Sequence, residues 1–125
     1  MTRGNSMIKC PICQNQLQIS QFSCSSCRTS YEGHFVLPRL ARMSKNDRQL
    51  AEAFLFAGGN LKDLAEHLGI SYPTVRKQVD AMMDALRQLR DEDQKHIEQI
   101  MSDMEAGRVS GSEGLRLIKE INGEL

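Results

Sequence analysis

All four cysteines of the chain fall within its first 27 residues, as CPIC at 10–13 and CSSC at 24–27. Two C-x-x-C pairs at this separation match a four-thiolate zinc site, in which each pair forms a tight knuckle and both knuckles meet at one tetrahedral ion. The spacer between them must then be a hairpin. QNQLQISQFS suits that, because Gln14-Asn15 can turn out of the first knuckle and Leu17 and Ile19 alternate with polar neighbours as in a strand. A further strand reads from Tyr31 to Leu37, with Tyr31, Phe35 and Leu37 on one face and Gly33 interrupting the run. A lone C-x-x-C in a cytosolic protein also reads as a dithiol switch. Two pairs in one small module, with no βαβ pattern around them, favour metal instead, and disulfides are disfavoured where no export signal precedes them. With Cys10, Cys13, Cys24 and Cys27 filling all four positions, the zinc is structural and leaves no place for water or substrate. It would be worth on the order of 10 kcal/mol to a module this small. His34 reads as an ordinary strand residue.

Three separate apolar patches and an aromatic content of only 5%, without tryptophan, argue for several small modules over one large core. The formal net charge is zero but unevenly placed. Residues 1–43 carry five cations against Glu32 alone, 44–90 are nearly balanced, and 91–125 carry four cations against nine anions. An acidic tail behind a basic front is one way to tune contact with nucleic acid, and a solvated acidic helix explains the tail equally well. No apolar run approaches the ~20 residues that span a bilayer, so the expected location is cytoplasmic, with no membrane partner. MTRGNS shows no pattern, which makes Met7 an alternative start and 1–9 an N-terminal extension.

In the middle of the chain, Pro38 marks the exit from the ribbon. Ser44 with Asp47 makes an acceptable capping pair for a helix from about Lys45 to Ala57, with Leu50, Ala53, Phe54 and Ala57 inward. Gly58-Gly59 ends it. Asn60 then caps LKDLAEHL, whose Leu61, Leu64, Ala65 and Leu68 repeat at helical spacing, and Gly69 supplies a sharp turn. Ser71 is a good N-cap for the next helix and Pro73 is tolerated in its first turn. Val75, Val79, Met82 and Leu86 form its buried stripe, and Tyr72, Thr74, Arg76, Lys77 and Asp80 occupy the opposite face. A short helix, a glycine turn and a longer helix with a partly basic leading edge make a helix-turn-helix. Ser71 and Thr74 can bond phosphate or base edges, Arg76 and Lys77 can reach phosphates or guanine, and Tyr72 can pack on the backbone of double-stranded DNA. Two cations are modest against the charge density of DNA, and a soluble or protein-binding helical domain would carry the same residues.

Beyond Asp91 the sequence predicts two more helices. Ile97, Ile100, Met101 and Met104 line the first, with acidic residues at its start placed against the dipole, and Gly107 stops it. Ser110 and Glu113 form a capping box for the second, which bears Leu115, Leu117, Ile118 and Ile121. So small an αα-hairpin must pack on the long third helix or on a second copy of the chain, which points to a homo-oligomer, most simply a dimer. The fold class that emerges is a small multi-module α+β chain: an N-terminal β zinc ribbon at 10–38, an all-α helix-turn-helix at 39–90, and a C-terminal αα-hairpin at 91–125.

CPIC, CSSC, YEGHFVLPRLARMS and GNLKDLAEHLGISYPTVRKQVDAM together resemble a bacterial family of unknown function that joins an N-terminal zinc ribbon to a helix-turn-helix. LAEHLGISYPTVRKQV is also similar to DNA-binding regions of sigma factors and response regulators, and GRVSGSEGLRLI resembles the two-helix C-terminal oligomerisation module often called SHOCT-like. The resemblance implies a transcriptional regulator with the four cysteines as metal ligands. One departure stands out: such knuckles often place glycine directly after the second cysteine, where this chain has Gln14 and Arg28, so the turns are expected to form through Asn15 and Thr29. Two functions follow. The first is a zinc-stabilised DNA-binding regulator. The second is an adaptor that binds a protein such as RNA polymerase through its ribbon or hairpin. Enzyme activity is not expected, because no Ser/His/Asp or Cys/His set, phosphate loop or open metal site is present and the three histidines are scattered.

Overall fold

The computed structural model describes residues 9–123. The expected alternative start at Met7 and nearly all of the expected extension lie outside that range. Lys9 lies inside it and pairs antiparallel with Gln16, so the ribbon begins one residue before its first cysteine.

Two strands, β1 (Ile19–Ser23) and β2 (Ser30–Phe35), form an antiparallel sheet. Phe22 faces Tyr31 and Ser23 faces Ser30 across it. Between the pairs Ile19–Phe35 and Gln21–Glu32 the register shifts, because β2 spends one more residue than β1 over the same span. That bulge falls at Gly33, whose missing side chain leaves room for the Phe35 ring 3.4 Å from where a Cβ would stand. The Phe35 ring meets Phe22 edge to face at 4.9 Å. The strand stops at Phe35, short of the expected Leu37.

A 3-10 turn at Arg39–Arg42 leads into four helices: α1 (Lys45–Phe56), α2 (Leu61–Leu68), α3 (Tyr72–Glu105) and α4 (Gly111–Ile121). The starts follow the predicted caps. Ser44 accepts from the Asp47 amide, Asn60 from those of Lys62 and Asp63, and Ser110 from that of Glu113. Gly69 ends α2 at φ 68°, a conformation costly for any residue with a Cβ.

Residues 39–90 form one compact unit; the residues up to Pro38 and those from Asp91 onward group into a second. In the first unit, Met43, Leu64, Ala65, Val75, Val79 and Met82 make the buried core, flanked by Leu50, Ala53, Phe54, Ala57, Leu61 and Leu86. Leu64 and Val75 are fully buried, worth roughly 1.5–3 kcal/mol each. Leu68 departs from its predicted inward place and is exposed. In the second unit the expected Ile100 is buried, but Met101 and Leu115 are half exposed, and buried Gly114 lets α4 approach Met104.

One expectation is overturned outright. The sequence predicts separate helices on either side of Asp91, whereas α3 runs unbroken for 34 residues. Neither glycine nor proline occurs between Pro73 and Gly107, so nothing ends the helix at Asp91, although the compact units do divide there as expected. The C-terminal helical pair therefore borrows the end of α3 as its first arm. Asp91, Glu92 and Asp93 sit in mid-helix, where they gain nothing from the dipole.

Candidate metal knuckles and nucleic-acid edge

Each cysteine pair sits in the same backbone turn. The Gln14 amide donates to the Cys10 carbonyl at 2.9 Å and the Arg28 amide to the Cys24 carbonyl at 2.9 Å. The Cys10 and Cys24 amides donate to the Asn15 and Thr29 carbonyls, each at 2.8 Å. Closing the turns this way puts Gln14 and Arg28 at φ 65°, the only described non-glycine residues with positive φ. The left-handed residue thus falls where glycine is usual, while Asn15 and Thr29 close the turns through their carbonyls, as expected. The knuckle geometry forms in spite of the side chains, at a local cost of about 1–2 kcal/mol per site.

All four cysteines are unlinked. The Ile12 amide donates to the Cys10 sulfur at 3.4 Å, and the Cys27 sulfur lies 3.1 Å from the Thr29 hydroxyl. Donors around Cys10, chiefly the Cys13 and Ile12 amides and the Cys13 thiol, lower its pKa. The Thr29 hydroxyl does the same for Cys27, followed by the Thr29 amide and the Cys24 thiol. Such donors favour the thiolate, the form that ligates metal, so these residues fit zinc in character. Within each knuckle the two thiols interact. The structure does not gather the pairs further: among the described residues no three His, Cys, Asp or Glu side chains converge as a metal site. His34 bonds Gln18 through Nδ1 at 3.2 Å, a strand-to-loop contact.

At the head of α3, Ser71, Tyr72, Thr74, Arg76 and Lys77 are all exposed, whereas Val75 and Val79 between them are buried. The Ser71 and Thr74 hydroxyls share a 2.8 Å hydrogen bond that ties down the first turn. Arg76 Nε reaches Asp80 at 3.4 Å, and its pKa is raised, first by the Tyr72 hydroxyl and then by Asp80. Asp80 is the member of this edge that sequence reading left without a task, although its i,i+4 spacing from Arg76 was the available signal. Lys77 has no ion-pair partner among the described residues. Thr29 is a second residue whose role was missed, since a hydroxyl near a thiol leaves no trace in spacing.

In the C-terminal pair, Arg116 bridges Glu113 at 2.6 Å and also holds the buried Glu120. Arg108 and Gln99 both donate to Asp103, each at about 3.0 Å, locking the turn at Gly107. Only half of the predicted capping box forms. Ser110 accepts from the Glu113 amide, and the Glu113 carboxylate turns to Arg116.

A two-stranded ribbon with two close cysteine pairs, followed by a helix-turn-helix, defines a ribbon and helix-turn-helix protein, an architecture that suits binding to nucleic acid. No curated protein and no solved structure matches the chain. Family models do match: the DUF2089 zinc ribbon over residues 10–41, and the helix-turn-helix region of the same domain of unknown function over residues 43–88. The chain belongs to the DUF2089 family. Among the described residues, no helix is long and apolar enough to cross a membrane.

Proposed function

We propose that the chain is a transcriptional regulator that reads double-stranded DNA with the leading edge of α3, braced by one structural zinc on Cys10, Cys13, Cys24 and Cys27. One observation carries the DNA reading. Directly after the left-handed Gly69 turn, Ser71, Tyr72, Thr74, Arg76 and Lys77 lie exposed while Val75 and Val79 anchor the same two turns in the core. That arrangement aims hydrogen-bonding and cationic groups outward from a rigid base, as major-groove recognition demands. The two knuckles support the zinc reading, with the ion joining the pairs and the thiol-rich ribbon suiting a cytoplasmic setting.

Titration against random duplex DNA at two salt concentrations tests it. Affinity falls as salt rises, and an Arg76→Ala/Lys77→Ala variant binds more weakly, its salt slope reduced by about 1 per lost phosphate contact. A double variant that binds like the parent refutes the groove model. Elemental analysis tests the metal, one zinc per chain being expected.

An adaptor function is the second reading. It is favoured by the exposed Ile12, Phe22 and Tyr31 of the ribbon and by Met101 and Leu115 of the helical pair. The same two residues support self-association as a homodimer, which sedimentation at graded concentrations checks.

A further inference from the structure

The ribbon carries aromatic residues in the open. Tyr31 is 67% exposed and Phe22 49%, and the register sets the two directly opposite each other across β1 and β2, so both rings rise from one face of the sheet. The Phe35 ring meets Phe22 edge to face at 4.9 Å and steadies it, whereas Tyr31 has no ring contact among the described residues. Glu32 is the only carboxylate between Lys9 and Pro38, and its pairing with Gln21 places it on the opposite face. Lys9 precedes the first cysteine pair, and Arg28 lies three residues before Tyr31 in the turn that joins the strands. Both are exposed, and neither makes an ion pair among the described residues.

We infer that this face binds single-stranded DNA, with unpaired bases stacking on Tyr31 and Phe22 while Arg28 and Lys9 meet the phosphates. Stacking needs an exposed ring and a base whose own face is uncovered, and the bases of a duplex are already covered by their neighbours. An apolar protein segment would call for aliphatic surface beside the rings. The strands offer little of it: Ile19 is their one aliphatic residue and is half-buried, and serine, glutamine, glutamate, glycine and histidine fill the other non-aromatic positions. Arginine adds a planar group that itself stacks on rings and bases, as well as charge. The choice of DNA over RNA rests on the duplex reading proposed above, since both surfaces then serve one molecule.

The test titrates the full chain into a labelled oligothymidylate of about 15 nucleotides, followed by fluorescence anisotropy. Saturable binding is expected that weakens as salt rises, and Arg28→Gln should lower the logarithmic salt slope by about 0.7 for the phosphate contact it loses. Tyr31→Leu should weaken binding roughly tenfold or more while Tyr31→Phe matches the parent, because leucine keeps apolar bulk and loses the ring face. Helicity and metal content serve as folding controls, and Arg28→Gln probes the same face independently of the rings. Arg76→Ala/Lys77→Ala should lose duplex binding and keep the single strand, so failure of the α3 reading and failure of this one are told apart. The inference is overturned if no saturable binding occurs, or if Tyr31→Leu binds like the parent, which would leave an apolar or purely ionic contact. It is equally overturned if an oligouridylate of the same length binds more tightly, which would make RNA the occupant, or if only the Arg76→Ala/Lys77→Ala variant loses the single strand.

Discussion

Replacing Gln14 and Arg28 by glycine tests the knuckles directly. Both residues occupy φ 65° in turns closed by matching hydrogen bonds, so their backbones carry the left-handed penalty twice. Removing each Cβ relieves about 1–2 kcal/mol, and the greater freedom of glycine in the unfolded chain returns roughly 0.5–1 kcal/mol of that. The net gain is about 0.5–1 kcal/mol per knuckle, or about 1–2 kcal/mol for the double variant. Because folding of so small a ribbon is coupled to metal binding, that gain appears as zinc affinity, tightened about 5- to 30-fold in the Gln14→Gly/Arg28→Gly protein. Competition against a chromophoric chelator measures it. Gln14→Ala and Arg28→Ala keep the Cβ and should show no comparable gain, which separates backbone strain from any loss of side-chain contacts. If the double glycine variant holds zinc no more tightly than the parent, the strain assigned to these turns is refuted.

At Gly114 a Cβ would stand 2.2 Å from Met104 Sδ and 2.5 Å from its Cγ, too close to the backbone for the methionine to relieve by moving its tip. Gly114→Ala should therefore cost about 1–3 kcal/mol in overpacking against about 0.5–1 kcal/mol of helix propensity gained, a net loss seen in urea unfolding. In a Met104→Ala background the same change should turn stabilising; a stabilising effect in the parent chain would contradict the contact. Acid should loosen the C-terminal pair. Arg116 lowers the pKa of Glu113, and Arg108, then Gln99, lowers that of Asp103. Carboxylates with depressed folded values contribute stability that is present above the unfolded pKa and lost as pH falls through the folded one, below about pH 4. Helicity followed by circular dichroism should drop in that range, and Arg108→Ala and Arg116→Ala should flatten the drop; an unchanged profile would count against these ion pairs.

Much of this molecule was legible in residue order because its boundaries are drawn by local chemistry. Ser44, Asn60 and Ser110 each begin a helix where a cap was predicted, and Gly69 turns where a positive φ was required. The buried stripe of Val75, Val79 and Met82 followed from helical spacing. What spacing could not disclose was continuity. The acidic run that opens at Asp91 does coincide with the division between compact units, yet a helix ends for lack of amide donors or at a residue that tolerates left-handed backbone, and neither condition arises before Gly107. The knuckles themselves were legible, but their left-handed residues were not, for the converse reason. Gln14 and Arg28 have poor preferences for their conformation, and only the closure of the turn around each cysteine pair forces them into it. The outward position of Leu115 was hidden too, since periodicity names two flanks of a short helix and Gly114, at its contact with Met104, selects between them.

The bridge from Arg76 to Asp80 has a bearing on how such a reader would search a genome. A guanidinium resting against a neighbouring carboxylate has to give up that contact before it grips a phosphate, so the bridge would weaken the hold of this edge on any DNA. The same cost falls on a correct stretch and on an incorrect one, so the contact lowers affinity and residence time without altering which sequence is preferred. On the proposed DNA-reading edge Asp80 would in that way act as a brake, shortening every stay on the duplex.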